Sequence, residues 1–303
     1  AYELTCRDWS SGVCSSDLVE RVAPSDAAVL LSGESGTGKE VIADLIHAMS
    51  ARSSGPLVKV NCAALPRELI ESELFGAVKG AYTGSHSDRD GLFRQAERGS
   101  LFLDEISEMP LDTQAKRLRV LQEKRVRPVG GRVAHATDCR IIAATNRPLP
   151  TLLQEHKLRE DLYYRVAAVR IELPPLRERR EDIVPLAQTF LRRFASQAAR
   201  PVTDFSPAAL DCLCQHGWPG NVRELENEIQ RAVLLCEGSI IAPSDLSVMA
   251  VSYPAPGGQG GGPLTPLEVV ERDAIARVLR ETRGNKLADR KSTRLNSSHG
   301  KLS

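Results

Sequence analysis

From Arg21 to Leu173, short apolar runs alternate with longer stretches of helical period. That alternation predicts a parallel sheet covered by helices. Residues 28–31 (AVLL), 57–60 (LVKV), 100–103 (SLFL) and 140–144 (RIIAA) are brief and apolar, as strands buried on both faces should be. Residues 168–171 (AVRI) make a fifth candidate. After Pro174-Pro175 the strands stop, and helical patterns run from about Arg180 to Val233, broken at Trp218-Pro219-Gly220. The expectation is an α/β domain over residues 19–173, followed by a small all-α lid over 174–250.

The remaining segments differ in kind. Residues 251–263 include the Gly- and Pro-rich run PAPGGQGGGP, which cannot bury a core and is expected to be a flexible linker. Residues 1–18 and 289–303 are polar, Ser-rich and aperiodic beside strongly patterned neighbours. Two readings stay open for these ends: translated adaptor sequence, or ordinary disordered termini.

Composition removes several classes of function. In 303 residues, 40 Lys and Arg stand against 39 Asp and Glu, a formal net charge of +1, so no whole-chain field points to nucleic acid or membrane. The seven cysteines are odd in number and scattered without CxxC spacing, which argues against a disulfide scaffold or a zinc site. No apolar run reaches the roughly 18 residues of a membrane span, and no basic-then-apolar leader is visible. A cytoplasmic protein without a membrane partner is expected.

The chemistry begins at Gly33-Glu34-Ser35-Gly36-Thr37-Gly38-Lys39-Glu40, which follows an apolar strand and opens a helical pattern. That context suits a phosphate-binding loop. Glycines let backbone N–H groups and a helix N-terminus face phosphates, and Lys39 brings a compact positive charge. Glu40 stands where the generic motif has a Ser or Thr magnesium ligand, so a plain glycine turn remains an alternative at this point. Leu101-Phe102-Leu103-Asp104-Glu105 is an apolar strand ending in two carboxylates. Asp104 is suited to hold Mg²⁺, directly or through water, and Glu105 to polarise the water that attacks a γ-phosphate. A further strand ends in Thr145-Asn146, residues that either sense the γ-phosphate or only shape a turn.

With the segments around them, these residues resemble the AAA+ domains of sigma-54-dependent transcription activators, over about Val19 to Leu246. In that family the phosphate loop also reads GESGTGKE, Glu40 included. The resemblance implies an AAA+ P-loop fold, ATP with Mg²⁺, and assembly into a ring of six or seven copies. Gly80-Ala81-Tyr82-Thr83-Gly84-Ser85 is similar to the family's GAFTGA loop, which contacts the sigma-54 factor of RNA polymerase to convert closed promoter complexes into open ones. Tyr82 replaces the usual Phe, Ser85 the final Ala, and Ala77-Val78 depart from the common pair before the loop. An aromatic ring is kept. The resemblance also implies a switch role for Asn61, restraining the catalytic glutamate until the loop engages, and arginine fingers at Arg159 and Arg165, reaching the nucleotide of a neighbouring subunit. Arg223, in the motif Trp218 to Asn227, would sense nucleotide within its own subunit.

Residues 264–288 resemble the first helix and turn of a Fis-type helix-turn-helix, but no periodic second helix follows. Enhancer DNA is therefore an expected partner of the full-length protein and not of this chain. The family's helix ahead of the first strand, which helps form the adenine pocket, is expected to be largely replaced by residues 1–18. Two alternatives follow: an AAA+ remodeller of another client, and a nucleotide-binding regulator without turnover.

Overall fold

The computed structural model describes residues 15–81 and 87–247. Helix α1 (Ser15–Val22) leads to strand β1 (Val29–Ser32), and a glycine-rich turn joins β1 to α2 (Lys39–Ala48). Then come β2 (Leu57–Asn61), α3 (Ile70–Phe75) and a short antiparallel pair, β3 (Gly76–Ala77) with β4 (Arg89–Asp90). One helical turn, α4 (Leu92–Gln95), precedes β5 (Ser100–Asp104), α5 (Leu111–Glu123) and a second such pair, β6 (Arg125–Val126) with β7 (His135–Ala136). The α/β part closes with β8 (Arg140–Thr145), α6 (Leu149–Gln154), α7 (Glu160–Val166) and β9 (Val169–Glu172). The lid contains α8 (Ile183–Gln197), β10 (Asp204–Phe205), α9 (Pro207–Gln215), α10 (Asn221–Leu235) and β11 (Ile240–Ile241).

The sheet is parallel throughout, in the order β2-β5-β8-β1-β9. Its three inner strands are apolar because helices cover both faces. On one face Val29, Leu31, Phe102 and Ile142 meet Val19, Val22, Ile42 and Ile46 of α1 and α2. On the other, Leu30 and Ala143 meet Leu149, Leu152, Leu162 and Val166 of α6 and α7, while Leu101, Leu103 and Ile141 meet Ile70, Leu74 and Phe93.

The structure amends the expected pattern at three points. Strand β2 is not buried on both faces: it is a sheet edge, and its Lys59 is solvent-facing enough to pair with Glu40 and Asp44 of α2. The lid is helical and carries in addition one short pair, β10 with β11 in parallel. Two-residue strands give no readable period, although Phe205 and Ile241 are core residues. Helix α1 crosses the boundary expected at residue 18. It is anchored by Val19 and Val22, and by the buried Arg140, whose guanidinium donates to the carbonyls of Val22 (2.9 Å), Ala23 (2.6 Å) and Ala27 (3.2 Å). The last-turn carbonyls of a helix need such donors.

The lid has its own core, from Leu176 to Leu246, with Trp218 wholly buried in it. The indole Nε1–H donates to the Leu213 carbonyl at 2.8 Å, so the break between α9 and α10 is also an anchor. Among the described residues no helix is long and apolar enough to cross a membrane.

Candidate active site

Parallel register brings the chemistry to one edge. Ser32 at the end of β1 stands opposite Thr145 at the end of β8, and Asn61 at the end of β2 opposite Asp104 at the end of β5. Ligands of open parallel sheets collect beyond these carboxyl ends. There the structure has a cleft of about 680 Å³, lined by Ser35, Gly36, Gly38, Lys39, Glu40, Asn61, Asp104, Glu105 and Asn146 from the α/β part, and by Arg223 from the lid.

The turn from β1 to α2 depends on its glycines: Gly36 has φ +78° and Gly38, at the N-cap of α2, has φ +100°. Both lie in the left-handed region that side chains avoid. A Cβ on Gly36 would stand 2.3 Å from the Gly220 carbonyl oxygen, so the loop also touches the lid. The Lys39 ammonium is buried and donates to the carbonyls of Gly33 and Glu34, each at 2.9 Å. Burial lowers its pKa, against the pull of Glu105 and Asp104. The Thr37 hydroxyl donates to the Glu34 carbonyl at 2.9 Å.

Asp104 Oδ1 accepts the Glu105 N–H at 3.0 Å, which orients the Asp104 carboxylate at the cleft. Glu105 itself has φ +53°. Burial pushes its carboxyl above the usual range, and the Asp104 charge adds to this, while the N–H of Asn146 opposes it. That N–H donates to Glu105 Oε2 at 3.2 Å. The restraint expected of Asn61 is not present: Asn61 Oδ1 accepts the Ala63 N–H at 2.9 Å, closing its own turn. A short amide finds its local partner first. Thr145 is buried outside the cleft lining, with its Oγ1 accepting the Arg147 N–H at 3.2 Å and lying 3.5 Å from Ser107 Oγ.

The residues suit a magnesium nucleotide. Among the described residues no group of three or more His, Cys, Asp or Glu is placed to hold a metal. One oriented carboxylate beside a phosphate loop is the arrangement Mg²⁺ accepts when substrate phosphates and water complete its shell. Glu40, where the generic motif has Ser or Thr, lines the cleft and pairs its carboxylate with Lys59 at 3.0 Å.

Residues 12–172 match the model of the sigma-54 interaction domain, and residues 177–255 that of an AAA+ ATPase lid domain. The chain belongs to the sigma-54 interaction domain family. The transcriptional regulatory protein ZraR of Klebsiella oxytoca is 49% identical over 266 residues, 88% of this chain and 60% of ZraR. The chain thus spans about three-fifths of that relative. Among solved structures, NtrX from Brucella abortus in complex with ADP superposes with TM-score 0.72 at 35% identity, covering 84% of this chain and 58% of NtrX. NtrX in complex with ATP gives 0.70 at 33%, covering 89% and 61%. The match to the sigma-54 interaction domain takes in α1.

Other expected residues lie away from the cleft. Arg159 is the N-cap of α7, its guanidinium forked onto Asp161 at 3.0 and 2.7 Å. Its N–H donates to Gln114 Oε1 at 3.0 Å, and buried Gln114 also donates to the carbonyls of Met109 and Lys157. Arg165, at the other end of α7, lines a separate cavity of about 330 Å³ with Ala28, Arg140 and Ala168, where β1, β8 and β9 begin. Gly80 has φ +80° and open space where a Cβ would be, and the Lys79 N–H donates to Asp88 Oδ1 at 2.8 Å across the base of its loop. Tyr82, Thr83, Gly84 and Ser85 lie outside the described residues, as do the linker, the partial helix-turn-helix and residues 289–303.

Sequence reasoning passed over a set of lid contacts. Asn221 is the first residue of α10, which Gly220 caps. It is wholly buried, and its amide donates to Glu34 Oε2 at 3.2 Å and the Ser35 carbonyl at 3.0 Å. Arg179 donates to the Thr37 carbonyl at 2.8 Å, and Arg223 to Ser35 Oγ at 3.1 Å. Only the motif around Trp218 hinted at any of them.

Proposed function

We propose that the chain is a cytoplasmic, ATP-hydrolysing transcription activator that remodels closed complexes of sigma-54 RNA polymerase into open ones. The observation that carries this reading is the gathering of Lys39, Asp104, Glu105 and Arg223 around one cleft in a member of the sigma-54 interaction domain family. Lys39 and the first turn of α2 hold the phosphates, Asp104 holds Mg²⁺, and Arg223 brings a lid cation to the nucleotide. Bound Mg²⁺ would neutralise phosphate charge. Glu105 orients a water and takes its proton as the oxygen attacks the γ-phosphorus. The bond to the bridging oxygen breaks, and ADP and phosphate leave. Asn146 shapes the γ-phosphate end through its bond to Glu105, Thr145 braces the turn behind it through the Arg147 N–H, and Asn61 restrains Glu105 until the Gly80–Ser85 loop engages.

Arg159 and Arg165 act in trans, so the working form is a ring of six or seven copies. Hydrolysis moves the Gly80–Ser85 loop, whose Tyr82 contacts sigma-54. Enhancer DNA is a partner of the whole protein. The test is Tyr82→Ala, read by open-complex formation at a sigma-54 promoter and by ATP turnover. The proposal expects turnover within about twofold of the parent and open complexes reduced at least tenfold, the scale of one aromatic anchor in an interface. Unchanged open-complex formation would count against it.

A further inference from the structure

A carboxylate inside a phosphate-binding loop repels the anion the loop exists to hold, so Glu34 needs a reason. The structure supplies one. Arg177, in the turn just after β9, forks onto Glu34 with Nη2 to Oε1 at 2.7 Å and Nη1 to Oε2 at 2.8 Å. The buried Asn221 adds its amide to Glu34 Oε2 and to the Ser35 carbonyl, and its own Oδ1 accepts the Leu176 N–H at 2.7 Å. One residue of the lid therefore joins the phosphate loop to the segment that carries Arg177. Next to it the Val222 N–H donates to the Gly36 carbonyl at 3.0 Å, and Arg179 reaches Thr37. Four consecutive loop residues, 34 to 37, are thus each held from the lid side.

The nucleotide cleft lies between these two parts, with Ser35, Gly36, Gly38 and Lys39 on one wall and Val222, Arg223 and Glu226 on the other. A ligand gripped by both walls leaves when they separate, and the Glu34 contacts resist separation. We propose that Glu34, Arg177 and Asn221 form a latch between the phosphate loop and the lid that sets how fast nucleotide leaves. These are positioning residues. The inference rests on the nucleotide site proposed above.

Electrostatics and latching predict opposite signs for one variant, which makes the test decisive. If Glu34 acted only through its field, Glu34→Gln would leave Arg177 unopposed beside the phosphates and slow nucleotide release, while Arg177→Gln would speed it. If the pair is a latch, both substitutions speed release. Both side chains are about two-fifths exposed, so neither substitution empties the core.

The experiment is stopped-flow release of a fluorescent ADP analogue from the full chain, chased with excess ADP, for the parent, Glu34→Gln, Arg177→Gln and the double variant. The latch predicts release about fivefold faster in each single variant, the scale of a partly exposed forked ion pair, with little further gain in the double. Opposite signs in the two single variants, or release at the parent rate in both, would overturn the latch alone. A parent that does not bind the analogue would overturn the nucleotide site, and the latch with it.

Discussion

The Asn146 N–H donates to Glu105 Oε2 across 3.2 Å, so the end of β8 holds the carboxylate that follows β5. The same burial that makes this contact effective raises the Glu105 pKa, and it lowers that of Lys39 on the facing loop. A base must be ionised and the lysine must be charged. Activity should therefore fall on the acid side at a pH above the ordinary Glu value of about 4.3, and on the alkaline side below the ordinary Lys value of about 10.4. A pH profile of kcat/KM for ATP, which reports the groups of the nucleotide-free protein, checks both limbs, and an acid limb at the ordinary Glu value would contradict the burial argument.

Replacing Glu105 by Gln separates binding from chemistry. The folded chain holds the ionised carboxylate at a cost, because its folded pKa is raised. Stability is accordingly lost as pH climbs from the unfolded value through the folded one. A neutral amide removes that cost. Turnover should fall by about 10²- to 10⁴-fold, nucleotide affinity should persist, and the melting temperature at neutral pH should be no lower than the parent's.

Arg140 predicts a stability effect far from the cleft. Its guanidinium meets three carbonyls that have lost water, at Val22, Ala23 and Ala27. Arg140→Met keeps much of the stem and deletes the donors. It should cost about 2–4 kcal/mol in urea unfolding, because buried acceptors are left unpaired. A change below the scatter of the measurement would mean that α1 is held by Val19 and Val22 alone.

Legibility followed distance along the chain. The phosphate loop, Asp104-Glu105 and the five sheet strands were readable because each is a local run whose meaning lies in its own letters. Lids differ. Arg177 acts on a residue 143 positions earlier and Asn221 on one 187 earlier, and no local period encodes such a pair. The Gln114 side-chain oxygen in α5 accepts the Arg159 N–H across 45 positions, another pair that no local period encodes. The edge position of β2 was hidden for a related reason, since apolar runs report burial of a strand and not its place in the order. At α1 the polar composition of residues 1–18 masked two buried valines just beyond them.

The central claim is hydrolysis completed by a neighbouring subunit, and a complementation assay tests it most directly. Glu105→Ala retains Arg159 but lacks the base, whereas Arg159→Ala retains the base but lacks the finger. Each alone should turn over ATP at a small fraction of the parent rate, since trans-acting arginines are worth about 10³ to 10⁵ where measured in other phosphoryl-transfer enzymes. Mixed at concentrations where the parent's specific activity has reached its plateau, the two should regain turnover above the sum of their separate rates. A mixture no more active than that sum, or an Arg159→Ala chain as active as the parent, would contradict the account.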